Sequence, residues 1–152
     1  MDKILSGFRK RDMPLAVDYR PLYKVSIIIC ILEIASRSKK ASLNKLHFLT
    51  WALKTQRNRD FVKNIIDNEN VNMIMSWGIE PALNKALAIG VAEDFLNLEG
   101  DKYILTPDGF KFYKKIESEK DLLKNEKEFL QSVGKNKITE SFISDLISKL
   151  SN

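Results

Sequence analysis

Between Gly78 and Ile116 the spacing of apolar positions shifts from helical to alternating and back to helical. Leu83, Ala86, Leu87 and Ile89 recur close to the helical period of about 3.6 within Glu80 to Ile89, and Gly90 stands where a helix C-terminus favours glycine. Phe95, Leu96 and Leu98 lead into the turn tetrad Glu99-Gly100-Asp101-Lys102, and Tyr103-Ile104-Leu105 has the content of a returning strand. Thr106 can cap a further helix with Pro107 in its first position and Asp108 at its positive end, and Phe110, Tyr113 and Ile116 form its stripe. This order of elements predicts a winged helix; an unrelated helix–hairpin–helix packing is the alternative.

Upstream, Pro21 opens a helix, and Leu22 to Ala35 is apolar on nearly every side, as a central helix would be. Its β-branched content also suits a buried strand, but 14 residues without a turn signal exceed an ordinary strand. Arg37-Ser38-Lys39-Lys40 reads as a polar connection. Ser42 then caps a helix from Leu43 to Lys54 that buries Leu43, Leu46, Leu49 and Leu53. Asn58 and Asp60 lead into a third helix through Phe61, Ile65 and Ile66, and Val71 to Trp77 forms a fourth short apolar segment. Met1 to Asp18 shows no sustained period and reads as an arm that orders on a partner.

Beyond the hairpin, the helix from Pro107 is expected to run on through the Lys/Glu-rich stretch Glu117 to Leu130, supported by charges three and four residues apart, until Gly134 breaks it. Ile138, Phe142, Leu146 and Leu150 then recur at intervals of four in a last amphipathic helix. The fold class is therefore mainly α: an arm over residues 1–18, a winged-helix-like domain with one β-hairpin over 19–118, and a helical C-terminal extension over 119–152.

The 152 residues are 44% apolar, enough for a real core. Cys30 lies within an apolar run and reads as a buried small hydrophobe. Leu22 to Ala35 is too short for a membrane span and holds Lys24 and Glu33, and the first residues lack the apolar segment of a signal peptide. A soluble cytoplasmic protein with no membrane contact is expected. The net charge of +5 is unevenly spread: residues 1 to 60 carry 13 basic and 5 acidic side chains, whereas residues 61 to 100 carry 2 and 6.

Catalytic chemistry has no visible residues. No lysine has Asp or Glu two positions before it, as the acid-x-Lys triplet of many metal-dependent nucleases requires. His47 is the single histidine and reads as a packed core residue. With one cysteine and one histidine a zinc site has no ligand set, and Gly134-Lys135 lacks the glycine five positions earlier that a phosphate-binding loop needs. The sequence thus predicts a protein that is not an enzyme, with no cofactor and no metal.

Binding remains. The helix from Glu80 to Ile89, which in a winged helix enters the major groove, offers Asn84 and Lys85 but begins with Glu80 and runs into Glu93 and Asp94, so phosphates would meet carboxylates. Arg37, Lys39, Lys40, Lys45, Lys54, Arg57 and Arg59 form a separate basic set suited to non-specific, salt-sensitive contact with double-stranded DNA. The alternative is protein docking, through Arg9, Lys10 and Arg11 of the arm, Arg20 and Lys24 as exposed contacts, and the stripe Ile138, Phe142, Leu146 and Leu150.

Arg20-Pro21-Leu22-Tyr23-Lys24, the apolar helix ending Ala35-Ser36-Arg37, Lys40-Ala41-Ser42-Leu43-Asn44-Lys45-Leu46-His47 and Trp51-Ala52-Leu53-Lys54 together carry a resemblance. Over residues 14 to 116 the chain is similar to the middle component of bacterial three-component ABC systems of the Lamassu defence type. The resemblance implies a small subunit that bridges an SMC-like coiled-coil ATPase and an effector, often a nuclease, somewhat as winged-helix ends of kleisin-type proteins do. It brings no catalytic residues, and Tyr23, His47 and Trp51 of the matching pattern read as core. A free-standing winged-helix transcription regulator is the second expectation.

Overall fold

The computed structural model describes residues 21–68 and 80–151. The arm, with Arg9, Lys10, Arg11 and Arg20, and the short segment Val71 to Trp77 lie outside the described residues, as does the side chain of Leu150.

Helix α1 (Pro21–Ile34) is the axis of the core, with every residue from Tyr23 to Leu32 buried. A helix apolar all round belongs inside, with neighbours on every face. Ser36 donates its hydroxyl to the Ile31 carbonyl at 2.9 Å, and a 3₁₀ turn at Arg37–Lys39 leads into strand β1 (Lys40–Ser42). The expected polar connection therefore ends in a strand, one too short for a period-two pattern to show.

Ser42 caps α2 (Leu43–Ala52), its hydroxyl accepting the Lys45 amide at 3.1 Å. Thr55 accepts the Asn58 amide at 3.0 Å at the start of α3 (Gln56–Asn68). Helix α4 (Pro81–Ala92) continues through Gly90 instead of ending before it. Gly90 is there for packing: a β-carbon at this position would lie 2.6 Å from Leu96 Cδ1.

Strands β2 (Leu96–Glu99) and β3 (Lys102–Leu105) form the expected hairpin. Gly100 takes a φ of 63° at the first central position of the two-residue turn, which a type II′ turn assigns to glycine. β1 joins the far side of β3, so the antiparallel sheet has the order β1-β3-β2, with Ala41 opposite Tyr103 and Tyr103 opposite Leu98. This is a winged-helix-like arrangement, with α3 as an additional helix between α2 and the helix that precedes the wing.

Thr106 caps α5 (Pro107–Ser118), accepting the Gly109 amide at 2.9 Å, and donates to the Asp94 carbonyl at 2.5 Å. Gly109 seats the helix on the hairpin, since a β-carbon there would run into the Phe95 carbonyl. The expected continuous helix to Leu130 is broken. Helix α5 ends at Ser118, Leu123 adopts a left-handed φ of 52°, and α6 (Lys124–Val133) starts afresh. Lys127 Nζ folds back to donate to the carbonyls of Ile116 at 3.0 Å and Glu119 at 2.9 Å, satisfying the open end of α5. The break lets Leu123, Phe129, Leu130 and Val133 join the core. Helix α7 (Glu140–Ser151) follows, with Thr139 accepting the Phe142 amide at 3.0 Å. Glu140 Oε2 accepts the Ser42 amide at 2.9 Å, fastening α7 to the entry of α2. The C-terminal helices thus share one core with the winged-helix elements.

Candidate functional site

Helix α4 turns Leu83, Ala86, Leu87 and Gly90 inward and exposes Pro81, Asn84, Lys85, Ala88, Val91 and Ala92. Glu93 and Asp94 are exposed directly after it, and the hairpin tip exposes Leu98, Glu99 and Asp101. Lys85 is the one cation on that outer helix face. A phosphate backbone approaching the helix and wing together meets four carboxylates, so the unfavourable balance seen in the sequence persists in three dimensions.

The seven basic residues do not form one free face. Lys45 is buried at 2% exposure and donates to the Ala35 carbonyl at 2.7 Å; burial, aided by Arg37 and opposed by Glu140, lowers its pKa to about 8. It cannot touch DNA, which corrects the expectation. Its position in the first turn of α2 brings it under the C-terminal carbonyls of α1, which need a donor. Lys39 pairs with Glu33 at 3.1 Å and lies 4.2 Å from the Phe110 ring centroid. Lys40 reaches Glu99 at 3.8 Å. Arg37 Nε donates to Asn136 Oδ1 at 3.1 Å, and Arg59 donates to the Leu53 carbonyl at 2.9 Å, closing the end of α2. Arg37, Lys54 and Arg57 are the exposed members.

Lys24 also departs from expectation. Its side chain is 2% exposed and its Nζ lies 3.1 Å from Glu80 Oε1, which Lys54 Nζ reaches at 3.3 Å. Burial acts to raise the Glu80 pKa, but hydrogen bonds and charge from Lys24 and Lys54 outweigh it and hold the carboxyl below its ordinary value. His47, 6% exposed, accepts the Glu80 amide on Nδ1 at 3.4 Å. Its pKa is lowered by burial against the opposing Glu80 charge, so it is neutral and packed. Together these groups anchor the N-terminus of α4 to α1 and α2. Lys24 is interior because a cation in a wholly buried helix needs a carboxylate brought to it.

The C-terminal stripe is mostly inside. Ile138 is fully buried and Leu146 is 2% exposed, while Phe142 packs its ring 6.3 Å from Phe48 of α2; these three belong to the core or pack against it, which corrects their reading as a free partner face. A groove of about 370 Å³ remains between α3 and α7, lined by Ile65, Ile66, Phe142 and Leu146 together with Asp145, Lys137 and Lys149. Cys30 is fully buried and its thiol is pushed up to about 12, chiefly by burial, so it stays protonated. Among the described residues no three of His, Cys, Asp and Glu cluster as a metal site would require, and no helix is long and apolar enough to cross a membrane.

Sequence reasoning missed three features: the fastening roles of Glu80, Lys127 and Glu140, the strand at Lys40, and the exposed pair Val91 and Leu98, at 39% and 55%. Leu98 was legible in principle, because alternation from buried Leu96 carries the apolar face past the end of the core. No known protein family matches the chain, and neither a curated protein nor a solved structure does.

Proposed function

We propose that this protein is a non-catalytic accessory subunit that works by docking on other proteins, as the middle subunit of a bacterial SMC-like ATPase defence complex that joins the coiled-coil ATPase to an effector nuclease. The observation that carries the docking reading is the outer surface of α4 and the wing, where exposed Val91 and Leu98 stand among Glu93, Asp94, Glu99 and Asp101. A winged helix that reads DNA needs cations there. The assignment to a defence complex rests on the sequence resemblance at Arg20-Pro21-Leu22-Tyr23-Lys24 and the segments that follow it. Non-specific contact with double-stranded DNA through Arg37, Lys54 and Arg57 is secondary, weak and salt-sensitive.

The order of elements favours a second reading, a free-standing transcription regulator. Co-purification of the tagged chain with the products of adjacent genes, with mass determination at two salt concentrations, separates the two. A stable complex with a coiled-coil ATPase supports the accessory subunit; a lone dimer that shifts a fragment of its own promoter sinks it.

A further inference from the structure

The inner face of the hairpin loses its cover from one edge to the other. Ala41, Tyr103 and Leu98 lie opposite one another across the three strands and so project from the same sheet face. Ala41 is fully buried, Tyr103 is half-buried and Leu98 is 55% exposed. Alternation along β2 puts Leu98 on the face of Leu96, whose side chain packs on Gly90 of α4. Leu98 therefore projects on the α4 side of the hairpin, one strand step beyond the core, and Val91, 39% exposed, follows Gly90 in the last turn of that helix.

The segment that carries both residues is predominantly acidic. From Val91 to Lys102 the chain carries Glu93, Asp94, Glu99 and Asp101 against Lys102 alone. Lys40 reaches Glu99 at 3.8 Å and Lys102 reaches Asp101 at 3.5 Å, while Glu93 and Asp94 have no ion pair among the described residues. Nucleic acid and anionic lipid are repelled from such a surface. A second copy placed face to face would oppose like charges, which is destabilising.

We propose that the Val91–Leu98 surface docks a basic protein segment that inserts apolar side chains beside Leu98 and pairs its cations with Glu93 and Asp94. This rests on the docking reading above and names its surface and the chemistry of its partner. The partner side is a polypeptide with lysine or arginine flanking one or two large apolar residues.

The test uses the complex of this chain with the co-encoded coiled-coil ATPase, and measures affinity by titration at low and moderate salt. Val91→Lys with Leu98→Lys, and separately Glu93→Lys with Asp94→Lys, each weaken binding by roughly tenfold or more, as expected for residues central to an interface. Each variant is checked by far-UV circular dichroism and thermal melting, and because Asp94 holds a positive φ of 64°, Glu93→Lys with Asp94→Asn, which keeps a residue suited to that backbone, must weaken binding as well. Lys135→Glu, in the α6–α7 turn, retains wild-type affinity. Binding undiminished in both double variants overturns the proposal while leaving the docking reading intact. Failure of the wild-type chain to bind the ATPase overturns both. A wild-type dimer abolished by Leu98→Lys also overturns it, since the occupant is then a second copy.

Discussion

Lys45 gives the sharpest test of the packing argument, because a lysine held inside must make stability depend on pH with an unusual sign. Its pKa falls from 10.5 to about 8, so the native state sheds the proton first. Between those values the unfolded chain binds more protons, and stability rises with pH. At about 1.4 kcal/mol per pH unit, the charged form costs the native state about 3 kcal/mol at pH 7. Lys45→Met removes that cost but strands the Ala35 carbonyl, now bonded at 2.7 Å, at about 1–3 kcal/mol. The two nearly cancel at pH 7, so the variant there is as stable as the wild type or slightly more so. By pH 10 the wild type has recovered most of its loss and the variant falls behind by about 1–3 kcal/mol. Urea unfolding followed by far-UV circular dichroism at pH 7, 8.5 and 10 measures the difference. Other titrating groups, among them Tyr113, whose pKa burial raises, act on both proteins alike and drop out. A difference that stays constant across this range refutes the reasoning.

Glu80→Gln removes the carboxylate that Lys24 and Lys54 share and lowers stability at pH 7 by about 1–3 kcal/mol. Because the native Glu80 pKa is depressed, its contribution is complete above the ordinary carboxyl value of 4.5 and fades as pH falls below it; acid unfolding curves should show that limb flattened in the variant. Gly109→Ala drives a methyl into the Phe95 carbonyl and lowers stability by about 1–3 kcal/mol, read as a fall in urea midpoint; an unchanged midpoint would contradict the close seating of α5 on the hairpin. Thr106→Ala removes the cap of α5 and costs about 1–2 kcal/mol by the same measurement. DNA binding by fluorescence anisotropy should be weak, disappear between about 50 and 200 mM salt, and drop further in Arg37→Glu with Arg57→Glu; tight binding that survives salt would favour the transcription regulator.

What the sequence revealed was local. Pro21, Ser42, Thr106-Pro107 and Gly134 mark helix boundaries through their own backbone chemistry, and the structure uses each in that way. The hairpin was legible because its turn glycine and alternating flanks act within a few residues. The features that stayed hidden depend on distant partners. Gly90 sits within the helix as a glycine because Leu96 fills the space a β-carbon would take, and beyond the break after Ser118, Leu123 and Lys127 are placed in and against the tertiary core. Lys24 and Lys45 looked exposed because composition alone assigns lysine to solvent. Lys24 held a clue even so: it lies within a helix otherwise predicted to be wholly interior, and such a cation requires a partner. The proposed docking surface was half visible, in that the acids near α4 could be counted while the exposure of Val91 and Leu98 depended on where the core stops.

The hydrogen bond from the Ser42 amide to Glu140, 98 residues away in the chain, ties completion of the first structural elements to the synthesis of the last ones. As the chain leaves the ribosome, α1 emerges early with nearly all of its surface apolar, and α6, which packs on it, is made long afterwards. Until α6 has been made, the face of α1 that it covers stays bare. A chain cut short before α6 would leave that apolar face of its central helix open to solvent, an aggregation hazard that the complete fold removes.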